Sequence, residues 1–329
     1  MVHLRLVVPP GLSRAALDVL RDSPAVINVV HLSGASIKPR GDVVLCDVAR
    51  EDASLVIEDL RALGIGLAEQ GSIAISDIDT ALSDVARQAE QAAGGSPADA
   101  VIWEEVESRT SESAELSFSF VAFMVLATLI AAVGIMTDSQ ILIIGAMVVG
   151  PEFGPLAGFA VAFVQRRLDL ARRSLAALLV GFPVAISASL LFTLLLRGLG
   201  PAPDELTVVG HPATLFISNP NWFSAIVALL AGVTGVLSLT TAKSGALIGV
   251  LISVTTIPAA ANVGVAAAYG EWSECGGALA QLAINLGCLI IAGIATLSVQ
   301  RIVYERRRQR YRRELGAAGP SFSRFQRRP

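Results

Sequence analysis

The chain has 329 residues, is 53% hydrophobic and only 16% charged, and carries a formal net charge of −3. Its mean hydropathy is positive, which excludes an ordinary soluble globular protein and marks an integral membrane protein. Three cysteines, Cys46, Cys275 and Cys288, lie far apart without a CxxC pair, so neither a disulfide framework nor a thiolate metal site is expected.

Residues 1 to 115 have ordinary charge content, whereas 116 to 300 hold few ionisable groups outside short connections. Four parts are expected: a ferredoxin-like or ACT-like cytoplasmic domain over 1–76, a helical linker over 77–115, a six-helix transmembrane domain over 116–300 and a basic cytoplasmic tail over 301–329. The start, MVHLRLVVPPG, lacks the basic n-region and apolar core of a secretory signal peptide. Insertion is therefore expected to begin with the first membrane helix.

Residues 3–8, HLRLVV, alternate as a strand, and PPGLSRAALDVLRD gives a turn and an amphipathic helix. AVINVVHL and GDVVLCDV read as strands joined by SGASIKPR, followed by a helix in EDASLVIEDLRALG and a short strand in SIAIS. The order βαββαβ predicts an α+β ferredoxin-like domain, an antiparallel sheet under two helices. PPGLSRAAL with AVINVVHL resembles the ACT class of small regulatory domains, which bind amino acids or similar ligands near the first strand-to-helix turn. The resemblance implies a small regulatory ligand at Pro10, Gly11, Leu12 and Asn28; a scaffold or oligomerisation domain without a ligand is the competing reading. Residues 77–95 read as a helical linker ending in AAGGS. Ser96 then caps a further helix with Pro97 at its first position, and PADAVIWEEVESRTSESAEL leads to the membrane.

Crossing the hydrocarbon takes about 20 mostly apolar residues. Six runs qualify, near 116–137, 140–165, 172–196, 222–241, 244–269 and 277–300. Arg166, Arg167, Arg172 and Arg173 follow the second run, Lys243 the fourth, and Arg301, Arg306, Arg307 and Arg308 the sixth. All fall on one side if every run crosses, and Asp138, Asp204, Glu205, Glu271 and Glu274 fall on the other. Retention of Lys and Arg inside places both termini in the cytoplasm of a multi-pass protein of the inner (plasma) membrane. A re-entrant second run would put its four arginines outside, so a full, interrupted crossing is expected.

Shifting the sequence by 104 residues superimposes the first three runs on the last three, with Ile144-Gly145 on Ile248-Gly249, Val161-Ala162 on Val265-Ala266, Thr137 on Thr241 and Arg197 on Arg301. The identities are sparse, yet an interruption recurs: Pro151 to Pro155 in GAMVVGPEFGP aligns with Thr255 to Pro258 in VTTIPAAANVG. Three crossings per unit is an odd number, which predicts a 3+3 inverted repeat with broken helices 2 and 5. Such repeats recur in secondary transporters. A break exposes backbone N–H and C=O groups that hydrocarbon cannot satisfy, so paired breaks create a polar site.

A substrate or ion pathway is therefore expected at Gly150, Pro151, Glu152, Gly154 and Pro155 of the first break and at Thr255, Thr256, Pro258 and Asn262 of the second. Gln281 and Asn285 add two amides one helical turn apart. An ionised carboxylate at the bilayer centre costs roughly 2.5–3.5 kcal/mol on insertion scales, so Glu152 points to a cavity, a cation, a proton or a hydrogen-bonding partner. Structural alternatives stand beside this: proline and glycine that only pack helices, Glu152 as a helix cap, threonines bonded to their own helix, and amides as interhelical glue.

The tail RIVYERRRQRYRRE is strongly basic; a retained cytoplasmic flank and attraction to anionic lipid both account for it. No aromatic stacking platform accompanies the charge, so nucleic acid is not an expected partner. GAMVVGPEFGPLAG, SGALIGVLISVTTIPAAANVGVA and ALAQLAINLGCLIIAG resemble an uncharacterised bacterial family of hydrophobic six-helix membrane proteins, catalogued as a domain of unknown function. The resemblance covers about residues 116–300 and implies a six-helix domain often fused to a soluble N-terminal region, without any reaction or substrate.

His3, His31 and His211 are scattered, and the sequence has no metal-spaced cluster, phosphate-cradling glycine loop with lysine or nucleophile elbow. An enzyme, a cofactor and a metal are therefore not expected. Three classes remain: a secondary transporter or exchanger of a small solute or ion, an oligomeric ion channel, and a membrane-anchored ligand sensor or scaffold. The transporter stands first because inverted repeats with mid-membrane breaks serve alternating access. Expected partners are the lipid bilayer, a small solute or ion, further copies of the chain in a homo-oligomer, and the regulatory ligand.

Overall fold

The computed structural model describes residues 1–66, 71–78, 83–93, 100–203, 217–241 and 255–317. They divide into two compact units, one from Met1–Val106 with the segment beginning at Gln300, the other from Glu107–Leu239 with the segment ending at Val299.

In the first unit the elements run β1 (Val2–Val8), α1 (Ser13–Asp22), β2 (Val26–Ile37), β3 (Arg40–Val48), α2 (Arg50–Ala62) and β4 (Ser72–Asp77), followed by α3 (Asp84–Ala93) and the start of α4 (Trp103–Ser113). The sheet is antiparallel with strand order β2-β3-β1-β4. The alternation of β1 buries Val2, Leu4, Leu6 and Val8 in one cluster with Leu17 and Leu20 of α1 and Val56, Ile57 and Leu60 of α2.

The segment SGASIKPR, read as a connection, is largely strand: β2 continues to Ile37, and only Lys38 and Pro39 separate it from β3. Side-chain bonds hold this long stem. Asp42 accepts from the Gly34 N–H at 2.8 Å, where Gly34 takes φ 64, and Ser36 Oγ donates to the Pro39 carbonyl at 2.6 Å. Hydrogen bonds from Ser13, Gly34 and His31 pull the Asp42 carboxyl down to about 2. The proposed cap at Ser96 and Pro97 lies outside the described residues.

In the second unit lie α5 (Phe118–Met136), α6 (Gln140–Val149), α7 (Phe153–Gln165), α8 (Leu168–Leu199), α9 (Trp222–Thr240), α10 (Thr256–Tyr269) and most of α11 (Trp272–Ala317). Among the described residues, four helices suffice by length and composition to cross a membrane, namely α5, α8, α9 and α11; the α6–α7 pair, bent by 48°, makes a fifth span if it is one. The start of the fifth apolar run falls outside the described residues, as do Ile248, Gly249, Lys243, Asp204, Glu205 and His211. Serine hydroxyls begin two helices: Ser117 Oγ accepts from the Phe120 N–H at 3.0 Å and Ser139 Oγ from the Leu142 N–H at 3.5 Å.

Element boundaries recur at one spacing. Helices α5 and α9 begin and end, and α8 and α11 begin, 104 residues apart, the separation that also relates Glu152 to Thr256. Helices α7 and α10 each end at a left-handed residue, Arg166 at φ 58 and Gly270 at φ 78. The next N–H groups close the same bond, from Arg167 to Ala162 O at 2.8 Å and from Glu271 to Ala266 O at 2.9 Å.

Contacts recur too. Thr128 of α5 reaches Ala185 O of α8 at 3.4 Å, and Gly232 of α9 packs so closely on α11 that a Cβ would lie 3.0 Å from Leu289 O. Gly264 of α10 abuts Ser189 of α8, while Ala160 of α7 abuts Gly293 of α11. Each member of one contact has its counterpart in the other at the same spacing.

The basic stretch expected as a separate tail is helical through Ala317 as a continuation of α11. Within the first unit, Arg307 Nε donates to Asp52 Oδ1 at 3.1 Å, Arg308 pairs with Glu58, and the Tyr304 ring packs edge-on against Trp103. Opposite charge on α2 and the helix-favouring Arg, Glu and Gln of this stretch favour the helix and its pairing.

Candidate functional site

Helix α6 stops because Gly150 adopts an extended conformation before Pro151, which lacks an N–H and disfavours helix in the residue preceding it. Helix α7 restarts at Phe153 with Glu152 at its N-cap position, but the Glu152 side chain makes no cap hydrogen bond. Glu152 Oε1 instead accepts from Thr256 Oγ1 at 2.5 Å, linking the first break to the start of α10.

The two threonines at the start of α10 bond other elements. Thr255 makes no side-chain cap bond, and its Oγ1 accepts from Asn285 Nδ2 at 3.1 Å. Asn285 Oδ1 in turn accepts from Gln281 Nε2 at 3.2 Å, the two amides being neighbours on α11. Glu152, Thr255, Thr256, Gln281 and Asn285 thus form one cluster, and Glu152 is only 5% exposed. Two oxygens within it, Glu152 Oε2 and Gln281 Oε1, are buried without a hydrogen-bond partner.

The glycines and prolines serve the backbone. A Cβ on Gly150 would run into the Glu152 carboxylate and lie 2.6 Å from Ile257 Cγ1, and one on Gly154 would lie 2.7 Å from Ser113 Cβ. Pro155 and Pro258 are buried in the first turns of α7 and α10, where a missing N–H costs no helix bond. Asn262 is buried further along α10, and no hydrogen bond joins it to the cluster.

In the first unit Pro10 and Gly11 are exposed in the β1–α1 turn and Leu12 precedes α1. Asn28, at φ 53, donates its amide to Asp47 Oδ2 at 2.7 Å, and Asp47 Oδ1 lies 2.7 Å from His3 Nδ1. Asn28 is thus joined to a pair on the sheet, not to the turn.

Two features escape sequence reasoning. Ile257 packs against Gly150 beside the carboxylate; one isoleucine among many carries no signal. A cavity of about 390 Å³ adjoins the break, with Phe120, Phe123, Pro151, Phe153 and Gly154 among its walls and Glu112 and Ser117 towards the α4–α5 junction. Its aromatic residues look in sequence like any lipid-facing phenylalanines.

The helices mark a membrane protein with a small antiparallel sheet domain at its N-terminal end. Residues 147–291 match the family described as Domain of unknown function (DUF389), a stretch that contains every member of the buried cluster. The uncharacterized protein MJ0678 of Methanocaldococcus jannaschii is similar, 26% identical over 210 residues, which are 61% of this chain and 60% of that protein. The chain therefore matches less than two thirds of this relative's length. Both matches support an uncharacterised family. No solved structure matches.

Proposed function

We propose that the chain is a secondary transporter or exchanger of a small solute or ion, and not an enzyme, built from six crossings as a 3+3 inverted repeat with breaks in the second and fifth. The observation that carries this reading is the Glu152–Thr256 hydrogen bond, whose partners stand 104 residues apart. That is the spacing of the repeat, so equivalent positions of the two blocks meet, as they do on a two-fold axis. In an inverted repeat such an axis lies in the membrane plane, where transporters of this build hold their substrate.

Burial of the cluster supports a site that opens alternately over a continuously open pore. The arginines of 166–173 and 301–308 favour a cytoplasmic location for both termini. We assign the N-terminal unit a regulatory role on the strength of α11. This helix bears Gln281 and Asn285 early and, from Gln300, groups with the N-terminal unit, where α2 holds Arg307 and Arg308.

Reconstitution into liposomes tests the proposal, with ionic current under voltage and saturable solute or proton uptake measured for wild type and Glu152→Gln. Slow, saturable flux lost in the variant supports a carrier. Large conductance would make the breaks a pore lining, and silence in every assay would leave a scaffold. Deleting residues 1–95 is expected to change the rate while the membrane unit stays folded; an unchanged rate would remove the regulatory role.

A further inference from the structure

We propose that the Glu152 cluster binds one monovalent cation, a proton or a sodium-sized ion, through oxygen atoms alone. This names the ion class for the transport site and rests on the transport reading for the ion's passage, though not for its binding.

The inference follows from an inventory of donors and acceptors. The three hydrogen bonds of the cluster engage the Thr256 hydroxyl and one amide hydrogen each from Asn285 and Gln281. The atoms with no hydrogen bond at all, Glu152 Oε2 and Gln281 Oε1, are both acceptors and both oxygens, on side chains respectively 5% and 1% exposed as residues; the spare hydrogens of the cluster sit on groups already bonded, the Thr255 hydroxyl and the second amide hydrogens of Gln281 and Asn285. Buried acceptors without donors are costly. A cation or a carboxyl proton relieves them, whereas an anion adds to the excess.

Charge then sets the valence. Glu152 is the one formal charge of the cluster, and no lysine or arginine occurs on α5, α6, α7, α9, α10 or on α11 before Arg301. A monovalent cation leaves a neutral site; a divalent one would leave a buried positive charge. The other ionisable groups on the packed elements are Glu107, Arg109, Glu112 and Glu115 of α4 and the α4–α5 junction, Asp138, Arg197, Tyr269 and Glu274 near helix ends, the 166–173 stretch joining α7 to the start of α8, and Cys275 and Cys288.

Thermal unfolding of the purified full-length protein tests the site without any transport. NaCl is compared with choline chloride at equal ionic strength from pH 6 to 9, for wild type, Glu152→Gln and, as a buried polar control outside the cluster, Ser189→Ala. A sodium-sized ion raises Tm with the logarithm of its concentration in wild type and Ser189→Ala but not in Glu152→Gln. A proton leaves Tm indifferent to sodium and lowers it as pH rises, again only where Glu152 is present. Should Glu152→Gln fail to fold, Gln281→Met removes the other orphan oxygen and is expected to weaken apparent sodium affinity at least tenfold, or to alter the pH response if the ion is a proton. Equal responses of wild type and the cluster variant to both ions overturn the proposal. Cation-dependent Tm without flux in liposomes would retire transport and keep the site, whereas flux that survives Glu152→Gln without any cation shift would do the reverse.

Discussion

The helices α5 to α8 and α9 to α11 share a spacing but not a chemistry. Where the first block has Ala177, Gly181 and Gly158, the second has Gln281, Asn285 and Asn262, and Pro151-Glu152 stands against Thr255-Thr256. What recurs is backbone: helix ends, left-handed caps and close approaches through small residues. Such approaches depend on small side chains and tolerate little change, so both blocks keep them. On the proposed two-fold axis, the polar groups of a site need to occur only once. A carboxylate at both equivalent positions would set like charges face to face; a threonine opposite Glu152 supplies a donor instead.

The sharpest way to break this comparison is to remove its one charge. Glu152→Gln is expected to lower saturable flux by at least about tenfold, a barrier change of about 1.4 kcal/mol, while the protein remains folded in detergent. Flux at the wild-type level would mean that the asymmetry between blocks has no role in transport.

Next in size is a contrast between counterpart contacts. A Cβ on Gly264 would lie 2.7 Å from Ile186 O and Leu190 N of α8, whereas one on Gly293 would lie 3.3 Å from Ala160 Cβ. Overpacking costs about 1–3 kcal/mol, so Gly264→Ala should lower Tm clearly and Gly293→Ala less. The opposite order would show that the two contacts are not counterparts in packing.

Asn285→Ala leaves Thr255 and Gln281 without their partner and is expected to cost roughly 1–2 kcal/mol, near the upper range for polar contacts within membranes. Its counterpart position in the first block is already glycine, so the loss should appear on one side of the comparison only. The smallest change is Ser189→Ala, which removes the 2.9 Å bond to Ala261 O. About 0.6 kcal/mol is the average for such bonds, and the unfolding midpoint in denaturant reads it.

Much of this architecture is legible in sequence because apolar length and helix breakers act locally. Pro151 ends α6 by covalent geometry, and the shift that pairs it with Thr255 already pairs Glu152 with Thr256. The extension of β2 to Ile37 was hidden because Ser33–Ile37 reads as turn-forming until Asp42 supplies its bonds. The role of Arg307 and Arg308 was hidden because their partners Asp52 and Glu58 lie far away in sequence. Asn262 fitted the pattern of the pathway, but burial on α10 alone does not join it to the cluster.

The central claim is that two oppositely oriented blocks meet at the Glu152 cluster. Its most direct test uses the matched ends of α7 and α10, Arg167 and Glu271, whose N–H groups close the same bond. In a background with Cys46, Cys275 and Cys288 replaced by serine, single cysteines at these two positions are challenged with a membrane-impermeant maleimide, in intact and in permeabilised cells. The account predicts that Glu271→Cys labels in intact cells and Arg167→Cys only after permeabilisation. Labelling of both from the same side would contradict it.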